Sequence, residues 1–217
     1  MAILSRVEQK LQHREPITIV SYGDSISEVG RAPDWFGGAT SRDANWAYQL
    51  RNRLVARFPM VEITIKPFGI GGQNTYEGLG RLDALAPLQP DLVLLAFGAN
   101  DCGWHPIPPE ATATALGHLI DAIRAIHQAD VVVLGVGGEN PHDTGMIHVE
   151  ETRDAQRRMA QEKDAPFVDL RAAILQATDD GARWSEYHNG QRDCHPNDRG
   201  HAAWADAVAA LLEKQGI

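Results

Sequence analysis

The stretch Ile17-Thr-Ile-Val-Ser-Tyr-Gly-Asp-Ser25 is the strongest indication of the fold of this chain. Its β-branched residues favour a buried strand, and the Gly-Asp-Ser that follows favours a sharp turn. A strand that stops at such a turn can hold one hydroxyl above the edge of a sheet. Ser25 is therefore the candidate nucleophile.

Strand-like runs recur along the chain and alternate with helical patterns. Strands are predicted at residues 17–21, 61–66, 92–97, 131–136 and, more weakly, 166–168. Helices are predicted at residues 45–58, 75–85, 109–127, 146–163 and 198–214, where apolar residues recur at spacings of three and four. This alternation indicates an α/β fold with a mostly parallel, five-stranded sheet covered on both faces.

Composition narrows the class of protein. The 217 residues fit a single domain, residues 1–217. The net charge is -9 and the basic residues are scattered, so nucleic acid is not an expected partner. No apolar run approaches the roughly 20 residues that cross a bilayer, and the amino terminus lacks a secretory pattern. We expect a cytoplasmic protein without integral membrane contact, and the oligomeric state stays open.

Three later segments carry the other groups that acyl transfer needs. They are Gly69-Ile-Gly-Gly-Gln-Asn74, Phe97-Gly-Ala-Asn-Asp101 and Asp193-Cys-His-Pro-Asn197. In open α/β sheets, ligands bind beyond the carboxyl ends of the strands. Ser25, Gly72 and Asn100 all follow predicted strands, so we expect them at one shared edge.

His195 is the candidate general base among nine histidines. A serine hydroxyl is a weak nucleophile until a base removes its proton. Pro196 hinders entry into the next helix and Asn197 can cap that helix, so the ring stays on a defined loop. A backbone-bonded histidine is the alternative for His195, and a turn residue is the alternative for Ser25. The occurrence of both residues with the other segments favours catalysis.

Attack on an ester creates an oxyanion, which needs hydrogen-bond donors. The backbone N–H groups of Ser25 and Gly72 and the side-chain amide of Asn100 are the candidate donors. A tight turn at Gly72 and loop capping by Asn100 are the structural alternatives. Asp24 and Asp101 adjoin these positions, and we expect them to fix the loops through backbone hydrogen bonds.

Four short motifs, taken together, resemble a known superfamily. Gly23-Asp-Ser25, Gly72, Gly98-Ala-Asn-Asp101 and His195-Pro-Asn197 resemble the four ordered sequence blocks of the SGNH (GDSL) hydrolases, over most of the chain. The resemblance implies a flavodoxin-like three-layer α/β/α sandwich with Ser25, Gly72, Asn100 and His195 as the family residues. It also implies hydrolysis of esters or thioesters through a covalent acyl-enzyme, with no metal or organic cofactor.

The third member of the triad departs from that family pattern. The superfamily usually has an aspartate three residues before the histidine, where this chain has Arg192. An arginine cannot accept the hydrogen bond of the ring. Residues two apart in an extended segment point to the same side, so Asp193 is the candidate acid. A backbone carbonyl or a distant carboxylate is the alternative, which would give a dyad.

Three tryptophans on predicted loops are candidate substrate-binding residues. Trp35, Trp104 and Trp184 are expected at the same face as Ser25, and aromatic walls suit acyl chains or sugar rings. Packing of the loops is the alternative. Trp46 and Trp204 instead fit helix faces that pack on the core.

Two cysteines and two further polar residues adjoin the candidate site. Cys102 and Cys194 suggest either a disulfide or two separate small residues. Asp198 and His201 lie near His195 in sequence, but their spacing fits no known metal site, so no metal is predicted.

These residues favour a serine esterase that acts on small-molecule carboxylic esters. Short-chain acyl or acetyl groups are preferred because the sequence has no long apolar lid. An acyltransferase on the same scaffold is one alternative. The other is a catalytically silent module that binds carbohydrate or acyl ligands, which the arginine at position 192 suggests.

Overall fold

A parallel five-stranded sheet forms the centre of the computed structural model, which describes residues 4–103, 106–137, 145–179, 183–190 and 193–217. The strands are β1 Ile17–Gly23, β2 Ile63–Gly69, β3 Leu92–Ala96, β4 Asp130–Gly135 and β5 Phe167–Asp169. Their order across the sheet is β2-β1-β3-β4-β5, and each neighbouring pair is parallel. This is the strand order of flavodoxin-like proteins. The predicted fold class is confirmed.

Seven α-helices lie among the described residues. They are α1 Ser5–His13, α2 Trp46–Arg57, α3 Thr75–Leu79, α4 Pro109–His127, α5 Val149–Glu162, α6 Leu170–Ala177 and α7 Asp198–Lys214. Short 3-10 helices cover Arg42–Ala44, Leu82–Leu88 and Trp184–Glu186. The predicted bounds of α4 and α7 agree with those observed.

Successive strand residues point to opposite faces of the sheet and so build two separate cores. In β1, Ile19 packs into a core with α2, α6 and α7, which includes Trp46 and Trp204 as expected. The next residue, Val20, packs into a second core with α4 and α5. Two cores on either side of one sheet give the three-layer sandwich, because each face must be covered to exclude water.

The single helix predicted at residues 75–85 is wrong. The chain forms the short α3, capped by reciprocal hydrogen bonds between Asn74 and Glu77, and then the 3-10 helix Leu82–Leu88. The hydroxyl of Tyr22 donates to the carbonyl of Gly78 at 2.6 Å, and the same carbonyl accepts from the N–H of Arg81, three residues ahead, as in a 3-10 helix. The tertiary contact therefore breaks a continuous helical periodicity.

Two helices were not predicted, and a third begins later than expected. In α1 the ion pairs of Arg6 and Lys10 with Asp91 are long-range contacts, and Val7 is the buried apolar residue. The eight-residue α6 follows β5 directly, with Asp169 as its N-cap. Helix α5 begins at Val149 and not at residue 146, because His148 adopts a left-handed conformation with φ of 57°.

Candidate active site

Ser25 lies on a tight turn beyond the carboxyl end of β1. A Cβ at Gly23 would lie 2.4 Å from the carbonyl oxygen of Ala96, so only glycine allows this approach to β3. Asp24 Oδ1 then accepts a hydrogen bond from the N–H of Ile26 at 3.0 Å, which fixes the turn as expected. The half-buried Ser25 sits at the sheet edge that the strand–turn pattern predicts.

Asp24 is a buried structural group. Burial raises the pKa of its carboxyl to about 7, the hydrogen bond from Ile26 opposes that shift, and the nearby charge of Asp101 adds to it. Asp101 is also buried; it accepts hydrogen bonds from the N–H of Thr75 and the hydroxyl of Thr112. Both carboxyl groups therefore hold loops, as the sequence indicated.

Arg81 ties the ends of β1 and β2 together, and sequence reasoning missed it. Its guanidinium donates to the carbonyl of Gly23 at 2.8 Å and to that of Phe68 at 2.9 Å. Its central carbon lies 4.3 Å from the ring centroid of Tyr22 and 4.9 Å from that of Phe68, so the cation also rests on aromatic faces. A single arginine after a short helix has no sequence signal for such contacts.

His195 reaches Ser25 from a loop 170 residues further along the chain. The distance between Ser25 Oγ and His195 Nε2 is 2.8 Å. On the other side of the ring, His195 Nδ1 lies 2.6 Å from Asp193 Oδ1. Because a carboxylate can only accept, Nδ1 carries the proton, and Nε2 is the nitrogen that can accept the serine proton.

Asp193 makes this contact by a route different from the expected one. The same Oδ1 atom accepts a hydrogen bond from the N–H of His195 at 2.9 Å, which is an Asx turn. The segment is therefore turned and not extended, because the short carboxylate binds the backbone two residues ahead. Arg192 lies outside the described residues.

Asn189 holds the His195 loop in place and was also missed. Its N–H donates to the carbonyl of His195 at 3.1 Å, and its side-chain amide donates to the carbonyl of Gly38 at 2.7 Å. A Cβ at Gly38 would lie 2.8 Å from the Cβ of His195. Asn197 caps α7 as expected, accepting from the N–H groups of Arg199 and Gly200.

The candidate oxyanion donors follow the ends of two strands beside β1. The N–H of Ile70 donates to the carbonyl of Gly23 at 3.1 Å, so the loop that carries Gly72 starts against the Ser25 turn. Gly72 is exposed and has φ of 82°, which favours glycine. The side-chain amide of Asn100 donates to the carbonyl of Gln73 at 2.9 Å, which ties the loop after β3 to the loop after β2.

A cavity of about 740 Å³ opens over Ser25 and His195. Its described lining residues are Ser25, Ala99, Asn100, Gly103, Pro106, Gly145, Met146, Ile147, Asp193, Cys194 and His195. The polar groups of three separate segments, at Ser25, Asn100 and residues 193–195, therefore line one cavity together with apolar side chains, whereas Gly72 is not among its described lining residues. A cavity of this size accepts a ligand much larger than an acetyl group.

The three tryptophans predicted to bind substrate have different surroundings. The ring of Trp35 stands edge-on to His195, with 5.3 Å between centroids, and Arg31 lies over its face at 4.5 Å. Trp184 is 3% exposed and stacks on His188, so this ring packs in the core and not at the cavity. Its placement corrects the expectation, because burial leaves no face for a ligand. Trp104 lies outside the described residues.

Two buried histidines support the loops around the site. His201 accepts a hydrogen bond from the N–H of Trp46 at Nδ1 and donates from Nε2 to the carbonyl of Gly37. Burial lowers the pKa of His201 to about 4, against a smaller opposing effect of the Gly37 hydrogen bond. The pKa of His188 is likewise lowered by burial to about 4. Both rings are therefore neutral structural groups at neutral pH.

The remaining polar residues near the site have separate contacts. Asp198 accepts hydrogen bonds from the N–H and hydroxyl of Thr40. Cys102 is buried in a small cluster with Val136 and Val149, whereas Cys194 is half-buried with its sulfur 3.9 Å from His195 Nδ1. In the part of the chain that the structure describes, no helix is both long and apolar enough to cross a membrane.

The fold and the clustered polar groups define a flavodoxin-like protein with its candidate site at the carboxyl edge of the sheet. The chain belongs to the GDSL-like lipase/acylhydrolase family, which matches residues 21–203. That span includes both the Ser25 turn and the His195 loop, so the resemblance found in the sequence is confirmed. Family membership supports ester hydrolysis. No curated protein sequence matches this chain significantly.

Several solved structures share this fold. A two-domain esterase active on acetylated mannans aligns with a TM-score of 0.79 and 22% identity, over 99% of this chain and 53% of its own. A variant of Axe2, an acetyl xylan esterase from Geobacillus stearothermophilus, aligns with a TM-score of 0.72 and 20% identity, over 91% and 94%. The psychrotrophic esterase EstA from Pseudoalteromonas sp. aligns with a TM-score of 0.68 and 20% identity, over 91% and 97%. This chain thus spans about half the length of the two-domain esterase.

Proposed function

We propose that this protein is a serine esterase that cleaves carboxylic esters through a covalent acyl-enzyme. The proposal rests on two consecutive hydrogen bonds that join three side chains. They run from Ser25 Oγ to His195 Nε2 over 2.8 Å and from His195 Nδ1 to Asp193 Oδ1 over 2.6 Å. Membership of the GDSL-like lipase/acylhydrolase family supports the same class of reaction.

In the first half of the reaction, Ser25 Oγ attacks the carbonyl carbon of the ester and its proton moves to His195 Nε2. The bond from oxygen to carbon forms, and the carbonyl oxygen becomes an oxyanion. Asp193 stabilises the imidazolium and keeps the ring oriented. The oxyanion then collapses, the alcohol leaves with the proton from Nε2, and the acyl group stays on Ser25.

In the second half, water attacks the acyl-enzyme and gives its proton to the same nitrogen. Collapse of the second oxyanion releases the carboxylic acid, and the proton returns from Nε2 to Ser25 Oγ. The N–H groups of Ser25 and Gly72 and the amide of Asn100 are the proposed oxyanion donors. Each such donor typically contributes about a hundred- to a thousandfold in rate.

We propose acetyl or other short acyl esters of a bulky alcohol as the substrate. The cavity of about 740 Å³ has room for a group far larger than an acetyl, and Trp35 offers an aromatic edge beside His195. Two relatives with the same fold act, by their names, on acetylated mannans and acetyl xylan. An acetylated carbohydrate therefore fits the volume of the cavity and agrees with the substrates that the names of these two relatives give.

The test combines covalent labelling with a panel of esters. An ethyl phosphonate ester should label Ser25, as located by peptide mass analysis, because the EstA relative is described as inhibited by monoethylphosphonate. The panel runs from p-nitrophenyl acetate to palmitate and includes an acetylated xylan. We expect the highest kcat/KM with the acetate, and a loss of roughly a million-fold in kcat for Ser25→Ala.

Ser27→Ala is the matched control for that variant. Ser27 lies in the same turn, is fully buried, and its hydroxyl has no hydrogen-bond partner among the described residues. We expect this variant to keep the parent activity within a few-fold. Activity that survives in Ser25→Ala, or a phosphonate label on another residue, would remove Ser25 as the nucleophile. Ligand binding without turnover would favour the silent binding module instead.

A further inference from the structure

We propose that Asp193, Cys194 and His195 bind one thiophilic divalent cation, zinc or cadmium, and that this cation inhibits the esterase. The inference rests on the proposed function, in which His195 is the base. The three consecutive residues each offer one ligand atom, and these atoms all lie within 4.8 Å of one another. A carboxylate, a thiolate and an imidazole form a donor set that zinc accepts, and the sulfur favours soft metals.

The sulfur and the ring nitrogen are spaced almost as a metal requires. Cys194 Sγ lies 3.9 Å from His195 Nδ1. In a tetrahedral zinc site, with bonds of about 2.3 Å to sulfur and about 2.0 Å to nitrogen, these two atoms would be roughly 3.5 Å apart. A movement of a few tenths of an ångström therefore completes this part of the site.

The carboxylate has further to move, because its Oδ1 atom is hydrogen-bonded to the ring and to the backbone N–H of His195. Asp193 Oδ1 lies 2.6 Å from His195 Nδ1, whereas two ligands of one tetrahedral zinc ion are roughly 3.4 Å apart. The side chain of Asp193 is 43% exposed, so it can withdraw without disturbing the core. The cation would then replace the proton that Asp193 and His195 share.

A cation can reach this position from solvent. All three residues line the cavity of about 740 Å³ over Ser25. The open side of the site leaves a fourth coordination position for water. Cys102 contrasts with this arrangement, because its side chain is 1% exposed and packs against Val136 and Val149.

Binding at Nδ1 removes the base by changing the tautomer of His195. In the resting site Nδ1 carries the proton, and Nε2 accepts from the hydroxyl of Ser25. A cation on Nδ1 moves the imidazole proton to Nε2, which then donates to Ser25 Oγ and can no longer take its proton. The imidazole stays neutral, and the proton released to solvent is that of the Cys194 thiol.

The experiment measures cation binding and inhibition separately. The whole protein is kept reduced with a phosphine, and hydrolysis of p-nitrophenyl acetate is titrated with zinc chloride, cadmium chloride and, as a hard-cation control, magnesium chloride. The ultraviolet charge-transfer band of cadmium bound to thiolate reports binding without any reaction. The variants are Cys194→Ala and Cys194→Ser, with Cys102→Ala as the matched control.

We expect zinc and cadmium to inhibit the parent with one ion per chain, reversibly with a chelator, while magnesium has no effect. Relative to its own activity without metal, each Cys194 variant should need about a hundredfold more cation for half inhibition, since it lacks a ligand. Cys102→Ala should behave as the parent does. The cadmium band should appear in the parent and in Cys102→Ala and be lost in both Cys194 variants.

Equal inhibition of the parent and the Cys194 variants, or no cadmium band in the parent, would overturn the proposal. If the proposed esterase mechanism is wrong, a different measurement shows it. If Ser25 is not the nucleophile, Ser25→Ala still hydrolyses esters, whereas the cadmium band still reports whether residues 193–195 bind the ion. A band that persists in Cys194→Ser would place the cation elsewhere and also overturn the proposal.

Discussion

The two sides of the Ser25–His195 contact are built differently. The nucleophile side, residues 23–28 with Arg81, continues directly from a central strand and is mostly buried. The base side, residues 183–190 and 193–197, is a loop whose candidate acid and base are both half-buried. Arg81 holds the nucleophile side through carbonyls at the ends of two strands, whereas the exposed Asn189 holds the base side through carbonyls of two loops.

Because of this difference, substitutions on the two sides should affect different measured properties. Contacts of the nucleophile side are shared with the core, so their loss should lower the free energy of unfolding. Contacts of the base side orient a ring on a loop, so their loss should lower kcat while the fold persists.

The largest expected effect is on the base side, at Asp193. Asp193→Asn should lower kcat by roughly 10⁴-fold, because an amide can donate to Nδ1 and so favours the wrong tautomer of His195. The melting temperature should change by only a few degrees, since the carboxylate is 43% exposed. Steady-state kinetics and a thermal melt measure both. A kcat within tenfold of the parent would mean that another group, or none, orients the ring.

The next effect is on the nucleophile side, at Arg81. Arg81→Met keeps an unbranched side chain among the rings but removes two hydrogen bonds to strand-end carbonyls. The free energy of unfolding should therefore fall by about 3 kcal/mol. Urea denaturation measures this change. Arg53→Met is the matched control, since Arg53 pairs with the exposed Asp206 at the surface and should contribute less than about 1 kcal/mol.

A loss of activity in Arg81→Met with unchanged stability would contradict the assignment of stability effects to the nucleophile side. In that case Arg81 would act on the turn geometry alone and not through the core. Arg81→Lys sharpens the test, because an ammonium keeps the charge but cannot reach two carbonyls with the same planar geometry. We expect its stability to lie between those of the parent and of Arg81→Met.

A smaller effect depends on pH and concerns His201, which supports the Gly38 loop beside His195. The folded-state pKa of His201 is lowered from 6.5 to about 4 by burial, so the unfolded chain binds the proton first as pH falls. This contribution to stability is complete above pH 6.5 and is lost as pH falls towards 4. A charged ring would also point a second N–H at the N–H of Trp46.

His201→Gln tests this contribution, because glutamine keeps a donor and an acceptor but does not titrate. Between pH 6.5 and about pH 5, the parent should lose about 2 kcal/mol more stability than the variant. Denaturation at a series of pH values gives the difference. Parallel curves for the two proteins would show that His201 is not the titrating group.

The smallest effect is expected at Asn189. Asn189→Ala removes the side-chain hydrogen bonds to the carbonyls of Gly38, His195 and Pro196 but leaves the backbone hydrogen bond to His195, so kcat should fall by about tenfold. The melting temperature should stay within about two degrees, because the residue is exposed. Asn52→Ala, at an exposed position of α2, is the control. Equal kcat values for the two variants would show that the backbone alone fixes the His195 loop.

Much of the fold could be predicted because it depends on local patterns. Apolar runs marked β1 to β4, β5 was predicted more weakly, and α4 and α7 were placed with the observed bounds. The helix predicted at residues 75–85 was wrong, because regular helix ends at Leu79, where Gly78 lies against Tyr22 of β1 and Phe97 just beyond β3. Helix α1 was missed because its stabilising partner, Asp91, lies 85 residues from Arg6.

Some residues of the candidate site could likewise be predicted from local patterns, and others could not. Ser25 and Asn100 could be proposed because they lie in short motifs beyond strand ends, and His195 because Pro196 and Asn197 place it on a defined loop before α7. Arg81 and Asn189 could not, since each binds carbonyls that carry no information about residue type. Trp184 was expected at the cavity, but its ring is buried against His188.

Residue patterns were enough to predict the order of the five strands, helices α2, α4, α5 and α7, and the motifs around Ser25 and Asn100, because periodicity and turn chemistry act over a few residues. The packed molecule was needed to bring Ser25 Oγ within 2.8 Å of His195 Nε2, to join two strand ends through Arg81, and to bury Trp184 away from the cavity. Those facts depend on distances between side chains, and such distances are fixed only when the cores on both faces of the sheet are packed.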